Sequence, residues 1–143
     1  ISGMAKAEIL VEGVTPVEVT PYGFAVIWQT SEPAMPEIAI FSDAAGSVEM
    51  THQLEVEAFP LQGGNPEIVD EFAQDTALAN IRAQAWEKGM MTVRVKGTTP
   101  ETTYYYKIMA QNAAGETVIW PTDAPLSVTT TQPNLFVVDS LGG

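Results

Sequence analysis

Apolar and polar residues alternate with a period of two from Val14 to Pro60 and again from Met91 to Thr130. Successive side chains of an extended strand point to opposite faces. A chain with this period is therefore committed to strands that bury one side and need a second layer to cover it. "VEGVTPVEVTP" offers Val14, Val17 and Val19 as one strand, with a proline interruption of the kind tolerated at a sheet edge. "YGFAVIWQTSEP" sets Phe24, Val26 and Trp28 against Ala25, Ile27 and Gln29, then turns at Ser-Glu-Pro. "PEIAIFSD" makes a third strand closed by Asp43 to Gly46, and "SVEMTHQLEVEAFP" a fourth with acids interleaved. "MMTVRVKG" sets Met91, Val93 and Val95 against Thr92, Arg94 and Lys96. A further strand runs through Tyr104, Tyr105 and Tyr106, and "TVIWPTDAPLSVTT" supplies the last, broken by Pro121 and Pro125. About seven short strands separated by turn signals predict an all-β, antiparallel sandwich.

One segment has a different period. In "NPEIVDEFAQDTALANIRAQAWEKG", Asn65 suits a helix N-cap, Pro66 the first helical position, and Lys88-Gly89 a stop. At about 100° per residue, Ile68, Phe72, Ala79 and Trp86 share a face, while Leu78, Ile81 and Ala85 lie on another side. The spacing predicts a helix over 66–88 inside an insertion of about 47–89, with "PLQGGNP" as its flexible lead-in.

Composition narrows the chemistry. A chain of 143 residues with 45% hydrophobic content makes one domain with a real core, and no apolar run reaches the roughly 20 residues that cross a membrane. Eighteen acidic against six basic residues give a formal charge of −12, which repels phosphate backbones and excludes nucleic acid as an expected partner. The absence of cysteine removes disulfides, thiolate metal sites and cysteine nucleophiles. His52 is the only histidine and sits in an acidic, alternating stretch, so it reads as an exposed strand residue. Glu55 or Glu57 could be paired with Asp70, Glu71 or Asp75 as a glycosidase-like couple, but a solvated acidic face accounts for them better. No Asp-rich calcium loop, phosphate-cradling glycine motif or G-x-S-x-G elbow occurs, so no catalytic residue, metal or cofactor is expected.

The stretch "TTPETTYYYKIMAQNAAGET" carries the most specific pattern. Tyr104, Tyr106, Ile108, Ala110, Asn112, Gly115 and Thr117 follow one another at the spacing Y-x-hydrophobic-x-hydrophobic-x-A-x-N-x-x-G-x-S/T, with Pro100 and Thr102 four and two residues before the tyrosine. This resembles the fibronectin type III domain. There a loop with Pro and Thr leads into a tyrosine on strand F, and an Asn and a Gly form the F–G turn. Trp28 in "FAVIWQ" matches the family's core tryptophan on strand B, and "DAPLSVTT" looks like its final strand. The resemblance implies a seven-stranded fibronectin type III or immunoglobulin-like sandwich over residues 8–131, with the helical insertion between strands C′ and E. It also implies that Tyr104 ties its hydroxyl to the backbone of the E–F loop around Thr98 to Glu101. Thr98 stands where the family usually has leucine. "VRVKGTTPETTYYYKI" is also similar to the end of the N-terminal fibronectin-like domain of purple acid phosphatases, whose metal ligands lie in a separate domain.

These features point to a non-catalytic interaction or spacer module of a larger secreted or cell-surface bacterial protein, located outside the cell, on its surface or in the periplasm. Its partners would be other domains of the same chain or another protein. Residues 132–143 would be a linker or the start of a following domain. Two alternatives stand beside it: the accessory domain of a phosphatase-like or polysaccharide-acting hydrolase, and a carbohydrate-binding module using Trp86, Tyr105 and Trp120. The insertion is the expected interaction surface, through Asp70, Glu71, Asp75, Arg82 and Trp86. Its helix either binds a partner or caps the sandwich.

Overall fold

The computed structural model describes residues 9–59 and 83–133, which form two antiparallel sheets packed face to face. One sheet has the order β1 (Val11–Thr20), β2 (Gly23–Thr30), β5 (Met90–Lys96), β4 (Glu55–Phe59). The other joins β3 (Met35–Phe41), β6 (Thr103–Gln111) and β7 (Thr117–Trp120), with β8 (Leu126–Thr129) also on β6. The alternation dictates which side of each strand is covered. Phe24, Val26 and Trp28 of β2 and Met91, Val93 and Val95 of β5 are buried from one sheet, facing Ile38, Ile40, Tyr104, Tyr106, Ile108 and Ala110 from the other.

The first strand departs from strict alternation. Its register against β2 shifts between Glu12 and Thr15 and again between Val17 and Thr20, where Gly13 and Glu18 take φ of 70° and 51°. Each bulge changes which side the following residues face. Val14 and Val19 consequently pack on the core, while Val17 pairs with Ala25 outside this set.

Two further features differ from expectation. Eight strands form among the described residues rather than about seven, because the prolines divide the last one. β7 pairs with Ile108–Gln111 and β8 with Thr103–Tyr106, so the two lie end to end along β6 on either side of Pro121 and Pro125. A proline has no N–H to give a ladder, which is why pairing stops between them. Only the start of the strand before the insertion lies beside β3, as a C′ position requires: Glu49 bridges to Phe41, and the Met50 N–H donates to the Ile40 carbonyl. The chain then crosses to the other sheet through a 3₁₀ turn at Thr51–Gln53, and β4 pairs with β5 from Glu55↔Lys96 to Phe59↔Thr92. Met50, Leu54 and Ala58 pack against the core along this route, and that burial draws the strand across. His52 therefore sits exposed in the 3₁₀ turn and not in a strand.

The loop before β6 is knit by threonines. The Thr99 N–H donates to the Tyr104 hydroxyl at 2.8 Å, within the loop where the sequence places its partner. Thr98 is buried, and its hydroxyl donates to the Pro21 carbonyl at 3.2 Å, so a hydrogen bond fills the site the resemblance assigns to leucine packing. The Thr130 hydroxyl donates to the Thr99 carbonyl and accepts the Thr102 N–H, and the Thr102 hydroxyl donates to Pro100.

Tyr104→Phe is expected to cost about 1 kcal/mol in urea unfolding, because the Thr99 N–H loses its acceptor but is exposed enough to reach water. An unchanged midpoint would contradict that role. A second prediction concerns Asp43, whose carboxylate accepts from the Ser47 hydroxyl and from the backbone N–H groups of Val48 and Ser47. These bonds, the Ser47 hydroxyl foremost, hold its pKa below the ordinary aspartate range. A lowered carboxyl pKa contributes stability above the unfolded value, about 3.9, and loses it as pH falls through the folded value. NMR titration should show Asp43 protonating below the ordinary aspartate range, and Ser47→Ala should move it back up.

Candidate functional site

Antiparallel pairing brings three connections to one end of the sandwich. β2 ends at Thr30, β5 is entered through Gly89, and β6 ends at Gln111 opposite Met35, the first residue of β3. The turn 31–34, the segment 83–89 and the turn 112–116 therefore meet there. Residues 83–88 are helical and stop at Gly89, whose φ is 70°, as the Lys88-Gly89 signal predicts. Asp70, Glu71, Asp75 and Arg82 lie outside the described residues, as does most of the expected helix 66–88.

Gly89 fixes where the insertion returns to the sheet. The Thr30 N–H donates to the Gly89 carbonyl at 2.8 Å, and the Gln29 amide donates to the Lys88 carbonyl at 3.1 Å. A Cβ at Gly89 would collide with the Thr30 carbonyl oxygen, so both the positive φ and the close approach demand glycine. Asn112 ties the other two segments together. Its side-chain amide donates to Glu116 Oε1 at 2.8 Å and to Glu32 Oε1 at 3.2 Å, and its Oδ1 accepts the Glu116 N–H at 2.8 Å. The backbone closes the same turn, with the Asn112 N–H on the Glu116 carbonyl and the Gly115 N–H on the Asn112 carbonyl, both at 3.0 Å. Asn112 is 8% exposed and spends its side-chain capacity inside the protein.

Trp86 projects beside this knot. It is half-buried and, with Met35, Gln111, Asn112, Ala113 and Gly115, lines a cleft of about 210 Å³. A larger open hollow of about 400 Å³ lies over the first bulge of β1, beside Ile27 and Met90, but among the described residues its only titratable neighbour is Glu12. The end carrying Trp86 has the fixed polar geometry.

Glu32 and Glu116 are held by an amide, which can neither give up nor accept a proton near neutral pH. His52 follows Thr51, whose hydroxyl accepts the Ile40 N–H near the other end of β3. Among the described residues no three acids or histidines are placed to hold a metal ion, and no helix is long and apolar enough to cross a membrane.

The remaining sequence markers are structural. Trp28 is 3% exposed in the core, and its indole N–H has no hydrogen-bond partner among the described residues. Tyr104 and Tyr106 point inward, Tyr105 faces outward on β6, and Trp120 packs partly against the core. Trp86, Tyr105 and Trp120 thus do not form one aromatic surface. Asn112 and Gly115 were legible as a turn, but Glu32 was not, since its link to Asn112 spans 80 residues.

Comparison with protein-family models, curated proteins and solved structures finds no match for this chain.

The two turn glycines separate backbone strain from collision. At Gly115, φ is 87° and a Cβ meets nothing, so Gly115→Ala should cost about 1 kcal/mol, the left-handed penalty alone. Gly89→Ala adds the collision and should cost at least ~3 kcal/mol. Equal melting temperatures for the two variants would contradict the assigned role of Gly89.

Proposed function

We propose that this chain is a fibronectin type III-like, non-catalytic interaction module of a larger secreted or cell-surface protein, binding through the end of the sandwich that carries Trp86. The observation that carries the reading is the Asn112 knot. It fixes the turns 31–34 and 112–116 against each other beside a half-buried tryptophan. Rigid aromatics beside an ordered polar frame are the usual anchors of protein interfaces, because little side-chain entropy is lost on binding.

Three features support the family assignment. The strands divide as β1-β2-β5-β4 and β3-β6-β7/β8, the four-plus-three arrangement of immunoglobulin-like sandwiches once β7 and β8 count as one interrupted strand. The Tyr104 hydroxyl engages the loop just upstream of its own strand, as the tyrosine corner of such folds does. Trp28 lies inward on the second strand. In sandwiches of this kind the loops of one end are where recognition is built, and the insertion returns to that end.

A photo-crosslinking residue at Ala113, incorporated in the full-length parent protein, should yield a defined adduct with a partner protein or neighbouring domain. The same residue at Glu101, in the loop before β6, should not. Trp86→Ala should reduce the Ala113 adduct by roughly tenfold without unfolding the domain, the effect expected of an interface anchor. No adduct from Ala113, or the same adduct from both positions, would overturn the reading.

A further inference from the structure

The cleft beside Trp86 has negative charge behind its polar wall. Glu32 and Glu116 are half-buried, and each sets its Oε1 on the same side-chain nitrogen of Asn112, at 3.2 and 2.8 Å. Two carboxylates that share one donor are near neighbours, and their repulsion grows as water is excluded. A neutral amide holds them in place without cancelling either charge. Exposed Glu87, next to Trp86 in the chain, has the same sign. The bases among the described residues are engaged or placed elsewhere. Arg94 pairs with Glu18 and Lys96 with Glu57, Lys88 lines a separate hollow with Phe59, Met90 and Thr92, and Lys107 lies opposite Ala39 midway along β3.

The rest of the lining suits one long basic side chain. Trp86 brings an indole ring, whose face attracts a cation, and Met35 brings an apolar side for a hydrocarbon stem. The Gln111 side-chain amide donates to the Gly115 carbonyl at 3.5 Å, which leaves its oxygen as an acceptor. A cleft of about 210 Å³ admits a side chain and not a helix.

We propose that the partner enters this cleft with an arginine side chain, an inference that rests on the interface reading above. A guanidinium fits the surroundings better than an ammonium does. It is planar and stacks on an aromatic ring, it is weakly hydrated and so enters a half-buried site at lower cost, and its several N–H groups suit carboxylate oxygens. Glu32 and Glu116 then act on the partner through their charge, while Asn112 keeps them where that charge is felt in the cleft. One arginine by itself binds weakly, with a dissociation constant on the order of 10⁻³ M, because a single cation–π contact and two partly solvated charges supply little free energy.

NMR titration of the 143-residue chain with the blocked tripeptide Gly-Arg-Gly, against the same peptide with neutral citrulline in place of arginine, tests the proposal. The arginine peptide should shift the Trp86 indole N–H and the Asn112 and Gly115 amides, and the citrulline peptide should leave them in place. Glu32→Gln with Glu116→Gln keeps both Oε1 acceptors for Asn112 and removes only charge, so it should weaken binding about tenfold with an unchanged melting curve. Glu101→Gln, in the loop before β6, removes a charge elsewhere and should change nothing. No shift at Trp86, equal binding of citrulline, or indifference to the double change would each overturn the proposal. The Ala113 adduct is read independently of charge: an adduct without arginine binding overturns this inference alone, and the absence of both overturns the interface reading with it.

Discussion

Phe24 faces two tyrosines across the sandwich, and the rest of the molecule depends on that contact. Its ring centroid lies 6.2 Å from those of Tyr104 and Tyr106, at tilts of 36° and 39°, which joins β2 of one sheet to β6 of the other. Large rings at this separation bury area that smaller residues could not fill across two sheets about 10 Å apart. β6 also holds β3 on one side and β7 with β8 on the other. The inward tyrosines thus position the strand that orders its whole sheet. The turn leaving that strand carries Asn112, so the core contact also sets the place of the end that carries Trp86.

Much of this was legible because it is local. A period of two assigns inward and outward faces without knowledge of partners, and it separates Tyr104 and Tyr106 from Tyr105 correctly. The helix stop at Lys88-Gly89 was legible for the same reason, glycine being the residue that takes a left-handed φ without penalty. What failed depends on long-range choices. The bulges of β1 shift Val17 away from the core faces of Val14 and Val19, and only the register against β2 reveals them. The choice of β4 to join β5 rather than β3 was set by the burial of Met50, Leu54 and Ala58, none of which belongs to an unambiguous strand pattern. At the candidate site, Asn112 and Gly115 could be read as a turn. Glu32 could not, because no spacing rule connects a carboxylate to an amide 80 residues away.

The site itself shows how a sandwich can specify a surface with few residues. A single asparagine holds two carboxylates that would otherwise repel each other and remain solvated, and it closes the backbone turn beside them. Gly89 locks the returning insertion to Thr30 with a contact no other residue permits. Trp86 stands near both, half-buried in the cleft it lines with Met35 and Asn112.

The central claim is that this end is a rigid platform and not a set of independent loops. Amide hydrogen exchange tests it most directly, through the Thr30, Asn112 and Glu116 N–H groups, which donate to the Gly89 carbonyl, the Glu116 carbonyl and Asn112 Oδ1. If the end is rigid, these amides exchange only through openings comparable to those of the strand amides of Val26 and Ile108. Exchange near the unprotected rate at Asn112 and Glu116, with the strands still protected, would contradict the account.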